Sequence, residues 1–144
     1  MFTMLIRKLL LLLVIPMLMI GWVPVAGATQ PDGPVTIVTK IDFSIFPFTA
    51  TFEVTEGDTI LPCMSGVTKG FPRGSGVIRK VFTCIEGGEG TFTFLFAPFA
   101  SPHWVVWKAT GAFDGMRGEG VFSLVMIDEI TGQETFTGMI HFKP

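Results

Sequence analysis

The chain has no tyrosine and no asparagine, two cysteines, two histidines and few charges for its 144 residues. Each scarcity excludes something. Without asparagine there is no N-glycosylation site. With only Cys63, Cys84, His103 and His141 there is no ligand cluster for zinc, which needs three or four donors, so no metal and no cofactor is expected. Gly74-Ser75-Gly76 lacks the spacing of a nucleophile elbow and reads as a flexible turn. There is no basic stripe, so nucleic acid is a poor partner. No stretch keeps helical spacing of apolar residues over three turns, which leaves an all-β reading.

What is present starts at the N-terminus. Arg7 and Lys8 close a short positive segment, Leu9 to Val23 is almost wholly apolar, and Ala26-Gly27-Ala28 follows with small residues. This order is that of a secretory signal peptide over residues 1–28, cleaved after Ala28. The alternative is an uncleaved membrane anchor. Pro16 and Pro24 interrupt the run, and a span needs about 20 apolar residues, so membrane contact is expected only through the signal segment before cleavage. The mature chain then keeps fourteen of the fifteen phenylalanines and sets eight basic residues against twelve acidic ones, a net of −4. An even cysteine count in an exported chain predicts a Cys63–Cys84 disulfide, with two buried free thiols as the alternative.

After a loose leader at 29–34, residues 35–144 form one domain of short strands. Val35, Ile37, Ile41 and Phe43 share one parity; so do Phe52 and Val54; so do Phe92, Phe94 and Phe96. Period-two alternation marks half-buried strands. Val77 to Cys84 is a strand of less clear polarity, His103 to Ala109 puts Val105 and Trp107 opposite Trp104 and Val106, and Gly120 to Ile127 and Glu134 to Phe142 follow. Gly66 to Gly76, with five Gly or Pro, reads as a loop, and an eighth strand is placed near Thr59 to Cys63. The inward set expected on this basis also takes in Val105, Trp107, Phe122, Leu124, Phe136, Ile140 and Phe142. Gly88-Glu89-Gly90-Thr91-Phe92 recurs as Gly118-Glu119-Gly120-Val121-Phe122. The echo is read as two strands meeting the same local demand rather than as a repeat.

Around Thr110, Gly111, Phe113, Gly115 and Gly118 the run WVVWKATGAFDGMRGEGVF resembles the T-G-x-F-x-G-x-x-G motif of the dirigent and allene oxide cyclase superfamily. The resemblance implies a closed antiparallel β-barrel of about eight strands with an internal cavity. It transfers no catalytic residue. Phe113 is expected to plug one barrel end, and the glycines to allow a tight strand crossing.

Three functions stay open: a secreted barrel binding a small apolar molecule, with Phe92, Phe94, Trp107 and Phe122 as candidate lining; a cyclase or dirigent-type barrel enzyme that shapes a reactive intermediate; and a structural module with a filled core. The catalytic candidates are Glu89 and Glu119, a pair of carboxylates that would serve acid–base work if they met, with Arg117 beside them. The alternative is solvated rim charges and a rim ion pair. Mass spectrometry of the exported protein is expected to find a chain beginning at Thr29; an intact N-terminus held in membranes would refute cleavage.

Overall fold

A computed structural model of the protein describes residues 31–144. The signal-peptide reading of residues 1–28 lies outside them. Eight antiparallel strands run in chain order: β1 (Gly33–Asp42), β2 (Phe48–Glu56), β3 (Cys63–Arg73), β4 (Val77–Gly87), β5 (Thr91–Ala97), β6 (Ser101–Ala109), β7 (Met116–Met126) and β8 (Thr131–Phe142). A single 3-10 turn, Gly111–Phe113, joins β6 to β7. Each strand pairs with its chain neighbours, and β1 pairs with β8 over ten positions from Gly33–Ile140 to Asp42–Thr131, closing the barrel. Strand β1 starts two residues ahead of the expected Val35.

The interior follows from the alternation. Val35, Ile37, Phe52, Phe92, Phe94, Phe96, Phe122, Phe136 and Ile140 are all buried. The rings interlock: Phe82 stacks on Phe92 at 4.8 Å, Phe94 on Trp104 at 4.2 Å, and Phe52 and Phe136 meet Phe82 edge-on at 5.2 and 5.7 Å. Offset-stacked and edge-to-face pairs are the arrangements the ring quadrupole favours. Phe43, Val54, Leu124 and Phe142 are half-buried or less because they stand near the strand ends.

Two expectations are corrected. Only Gly74 to Gly76 of the expected loop is a turn: Gly66 to Arg73, with Gly66 and Gly70, lies inside β3, and Thr59 to Pro62 is the turn before it. Gly66 is there for room, since a Cβ would stand 2.7 Å from the Phe52 ring and 2.1 Å from the Thr83 carbonyl oxygen. The face of β6 is also inverted. Trp104 is fully buried, whereas Val105 and Trp107 are 44% and 47% exposed on the outer wall. Both parities of β6 carry large apolar side chains, so alternation alone does not choose between them. The opposite wall does. Gly120 on β7 and Gly138 on β8 leave the space that the Trp104 indole fills, 2.7 Å from where either Cβ would be, and its Nε1 donates to the Val121 carbonyl at 3.0 Å. Trp107 instead lies under the Arg73 guanidinium, 5.5 Å away.

The two barrel ends differ. At the end holding the β2–β3, β4–β5 and β6–β7 connections, Leu61, Phe113 and Met116 are fully buried, and Phe113 packs 5.1 Å from Phe92 as the plug that the motif implied. Gly90 and Gly111, both at positive φ, press the β4–β5 turn against the β6–β7 turn. A Cβ on either would fall 2.3 Å from a carbonyl oxygen of the other turn. The Thr91 amide donates to Thr110 Oγ1 at 3.1 Å across the same junction. The Cys63–Cys84 disulfide straps β3 to β4 here. With 21 residues of separation, the cross-link removes about 3 kcal/mol of unfolded-chain entropy.

Phe94 touches Phe82, Phe92, Trp104 and Phe136. Phe94→Ala is expected to lower unfolding stability by about 3–5 kcal/mol in urea titration. A loss well below that range would mean that the ring borders open space.

Candidate ligand site in the barrel lumen

The opposite end holds the β1–β2, β3–β4, β5–β6 and β7–β8 connections. Three inward-facing polar side chains lie three residues inside it: Thr39 before the end of β1, Lys80 after the start of β4 and Glu134 after the start of β8. At about 3.3 Å per residue this is about 10 Å below the rim. Alternation puts them there. Thr39 shares parity with Ile37 and Ile41, Lys80 with Phe82, and Glu134 with Phe136, so burying the apolar residue of each strand carries the polar one inward too.

The three form one cluster. Lys80 Nζ donates to Glu134 Oε2 in an ion pair, and Thr39 Oγ1 donates to the same oxygen at 2.5 Å. Lys80 is 1% exposed and Glu134 3%. The ammonium lies 5.5 Å from the Phe136 ring centroid and 5.8 Å from that of Phe96, within cation–π range. Burial disfavours the charged amine and holds the Lys80 pKa below its ordinary 10.5, with the charge and hydrogen bond of Glu134 pulling the other way. Thr68 Oγ1, on the neighbouring wall, is buried with no hydrogen-bond partner. Gly70 faces Lys80 in the β3–β4 ladder, and a Cβ on it would be 3.7 Å from the Lys80 Cε, an ordinary contact. The glycine therefore leaves a methyl-sized space beside the lysine stem.

Above the cluster the lining is apolar. Ile41 is buried, and Phe43, Phe48, Ile78 and Leu124 are partly so. Phe43 packs edge-on to Phe48 at 5.9 Å. The Phe43 amide donates to the Ile130 carbonyl at 2.8 Å, tying the β1–β2 loop to the β7–β8 turn. Beyond this lining the loops expose Ile45, Phe46, Phe99, Ile127 and Ile130, with Phe99 at 94%.

The expected site residues fall out differently. Phe92, Phe94 and Phe122 face the lumen, and Trp107 faces outward. Glu89 is exposed in the β4–β5 turn, whereas Glu119 and Arg117 are exposed on the outer wall of β7. The two carboxylates do not form a pair. Glu89 precedes its strand and Glu119 is four residues into its own, so the echo aligns the phenylalanines but not the acids. Arg117 Nη1 donates to the Met116 carbonyl rather than to Glu119, and Lys80–Glu134 is the one ion pair among the described residues. The motif residues Thr110, Gly111, Phe113, Gly115 and Gly118 serve the closed end and take no part in the cluster. The pair itself was legible as a charge on the apolar parity: Lys80 is what blurred the polarity of Val77 to Cys84.

No protein-family model matches the chain, and no curated protein matches it either.

Removing one member of a buried ion pair leaves the other charge uncompensated, at a cost of about 3–5 kcal/mol. Lys80→Met is therefore expected to destabilise the barrel by that amount at neutral pH, and Lys80→Met with Glu134→Gln to recover more than half of it. Between the lowered Lys80 pKa and 10.5 the unfolded chain binds a proton that the folded one does not. Wild type is thus expected to gain stability relative to Lys80→Met as pH rises through that window. Urea titrations across pH check both statements.

Proposed function

We propose that this chain is a secreted β-barrel that binds a small apolar molecule through the end of its lumen opposite the Phe113 plug and seats one oxygen atom of that molecule on Lys80. The observation that carries the reading is the buried Lys80–Glu134–Thr39 cluster beneath an apolar mouth. An ammonium has three N–H donors, and Glu134 engages one. The unpartnered Thr68 hydroxyl, on β3 next to the Lys80 strand, is a further donor. Ligand sites pair a mostly apolar lining with a few convergent polar groups, and a carbonyl or hydroxyl oxygen on an apolar body matches these. A buried ion pair adds little to stability compared with apolar side chains of the same volume, so a barrel built only for stability gains nothing from it.

The location belongs to the same reading. The disulfide fits an oxidising, extracytoplasmic compartment, and the Arg7-Lys8, Leu9 to Val23, Ala26-Gly27-Ala28 order supports export with cleavage after Ala28. The resemblance to the dirigent and allene oxide cyclase superfamily supports a barrel whose lumen holds small molecules. A second reading, an enzyme of cyclase or guide type, is favoured by one observation: Glu134 is an acid inside the lumen. The filled-core reading draws on the stack of Phe82, Phe92, Phe94 and Trp104, which reaches the cluster, since Phe94 stands opposite Lys80 in the β4–β5 ladder.

The test uses 6-propionyl-2-(dimethylamino)naphthalene, an apolar fluorophore with one ketone oxygen and an emission that shifts to the blue away from water. Saturable binding of one molecule per chain is expected. Gly70→Ala, whose methyl fills the space beside Lys80, is expected to weaken it at least tenfold while leaving the melting temperature unchanged or higher. Absence of saturable binding, or binding indifferent to Gly70→Ala, would refute the site.

A further inference from the structure

We infer that Lys80 is an imine-forming amine, and that the ligands it takes include small apolar aldehydes that become covalently attached inside the lumen. This rests on the binding reading above and goes beyond it in chemistry. Four features of the site carry it. First, Lys80 is the one lysine among the described residues inside the barrel; Lys40, Lys69, Lys108 and Lys143 are all exposed. Second, its amine is bounded by the faces of Phe96 and Phe136. An imine in water is driven back to aldehyde and amine by hydrolysis, and an enclosed apolar wall keeps water from it. Third, Glu134 is in direct contact with Nζ and so can both take and return a proton. Fourth, the apolar mouth of Ile41, Phe43, Phe48 and Leu124 selects an apolar aldehyde over a polar one.

The chemistry balances without any co-reactant. The Lys80 ammonium passes one proton to the Glu134 carboxylate, which frees the nitrogen lone pair. The lone pair attacks the aldehyde carbon, a C–N bond forms, and the carbonyl π electrons move to oxygen, which takes the proton from Glu134. The resulting cationic carbinolamine nitrogen returns a proton to Glu134. That proton then goes to the hydroxyl, water leaves, and the C=N bond forms. Ammonium and aldehyde give a protonated imine and one water, the Glu134 carboxylate is regenerated beside it, and no oxidation state changes. Desolvated lysines beside a second ionisable group are the ones suited to this step, and the lowered Lys80 pKa is in keeping with it.

The experiment incubates the folded protein with benzaldehyde and sodium cyanoborohydride at neutral pH, then maps the reduced adducts by peptide mass spectrometry. Lys80 is expected to be modified at least tenfold faster than any of Lys40, Lys69, Lys108 and Lys143, and glyceraldehyde is expected to reverse that order. Glu134→Gln is expected to slow the Lys80 adduct at least tenfold relative to the adducts at Lys40, Lys69, Lys108 and Lys143 in the same sample, because it removes the group that takes and returns the proton. Adducts confined to exposed lysines, in a wild-type protein from which benzaldehyde displaces the naphthalene ketone, would overturn the imine and leave the binding site standing. Neither ketone binding nor a Lys80 adduct would overturn both.

Discussion

Ten consecutive positions of β1 pair with β8, and that ladder turns a curled sheet into a closed tube. Most other features follow from the narrowness it imposes. An eight-stranded tube has room for side chains and little more, yet this one must hold nine buried aromatic residues. The large rings fit because the facing wall gives way. Gly66 yields to Phe52, and Gly120 and Gly138 yield to Trp104. Closure also leaves no free sheet edge, which removes the need to shield one.

The same constraint makes the ends unlike each other. One is sealed by Leu61, Phe113 and Met116, braced by two interlocked turns and a disulfide. The other carries the apolar loops and, below them, a charged pair that water does not reach. Placing charge under a hydrophobic rim costs solvation energy that only internal hydrogen bonds and ring faces offset. Thr39, Phe96 and Phe136 supply them.

How much of this the residues disclosed varied strand by strand, for physical reasons. In β1, β5 and β8 the apolar and polar parities separate, so fold class, closure and most of the inward face were legible. In β6 both parities are bulky and apolar. The choice of Trp104 over Trp107 was made by glycines 16 and 34 residues further along the chain, which local alternation does not see. In β3, Gly66, which reads as loop punctuation, is clearance for the Phe52 ring on β2. The site was half visible. Lys80 and Glu134 each stood on an apolar parity, but that they meet depends on the register of two strands that are not neighbours in the barrel. Glu89 and Glu119 drew attention through a repeated pentapeptide whose two copies sit at different depths relative to their strands.

Because every strand lies beside its chain neighbours, the two ends of the described chain come back to the same place: Gly33 pairs with Ile140, and the Phe142 amide donates to Asp32 Oδ1 at 3.2 Å. The barrel therefore has no topologically privileged beginning. A short peptide linker could join these ends, and the Gly74-Ser75-Gly76 turn, exposed and with no heavy atom within 4 Å of where a Cβ on either glycine would lie, offers a place to cut the ring open again. Such a circular permutant would keep all eight ladders and the sealed base. It would turn the β1–β8 seam into an ordinary hairpin and move the chain ends to the rim of the mouth, where a fused reporter would sit beside whatever enters.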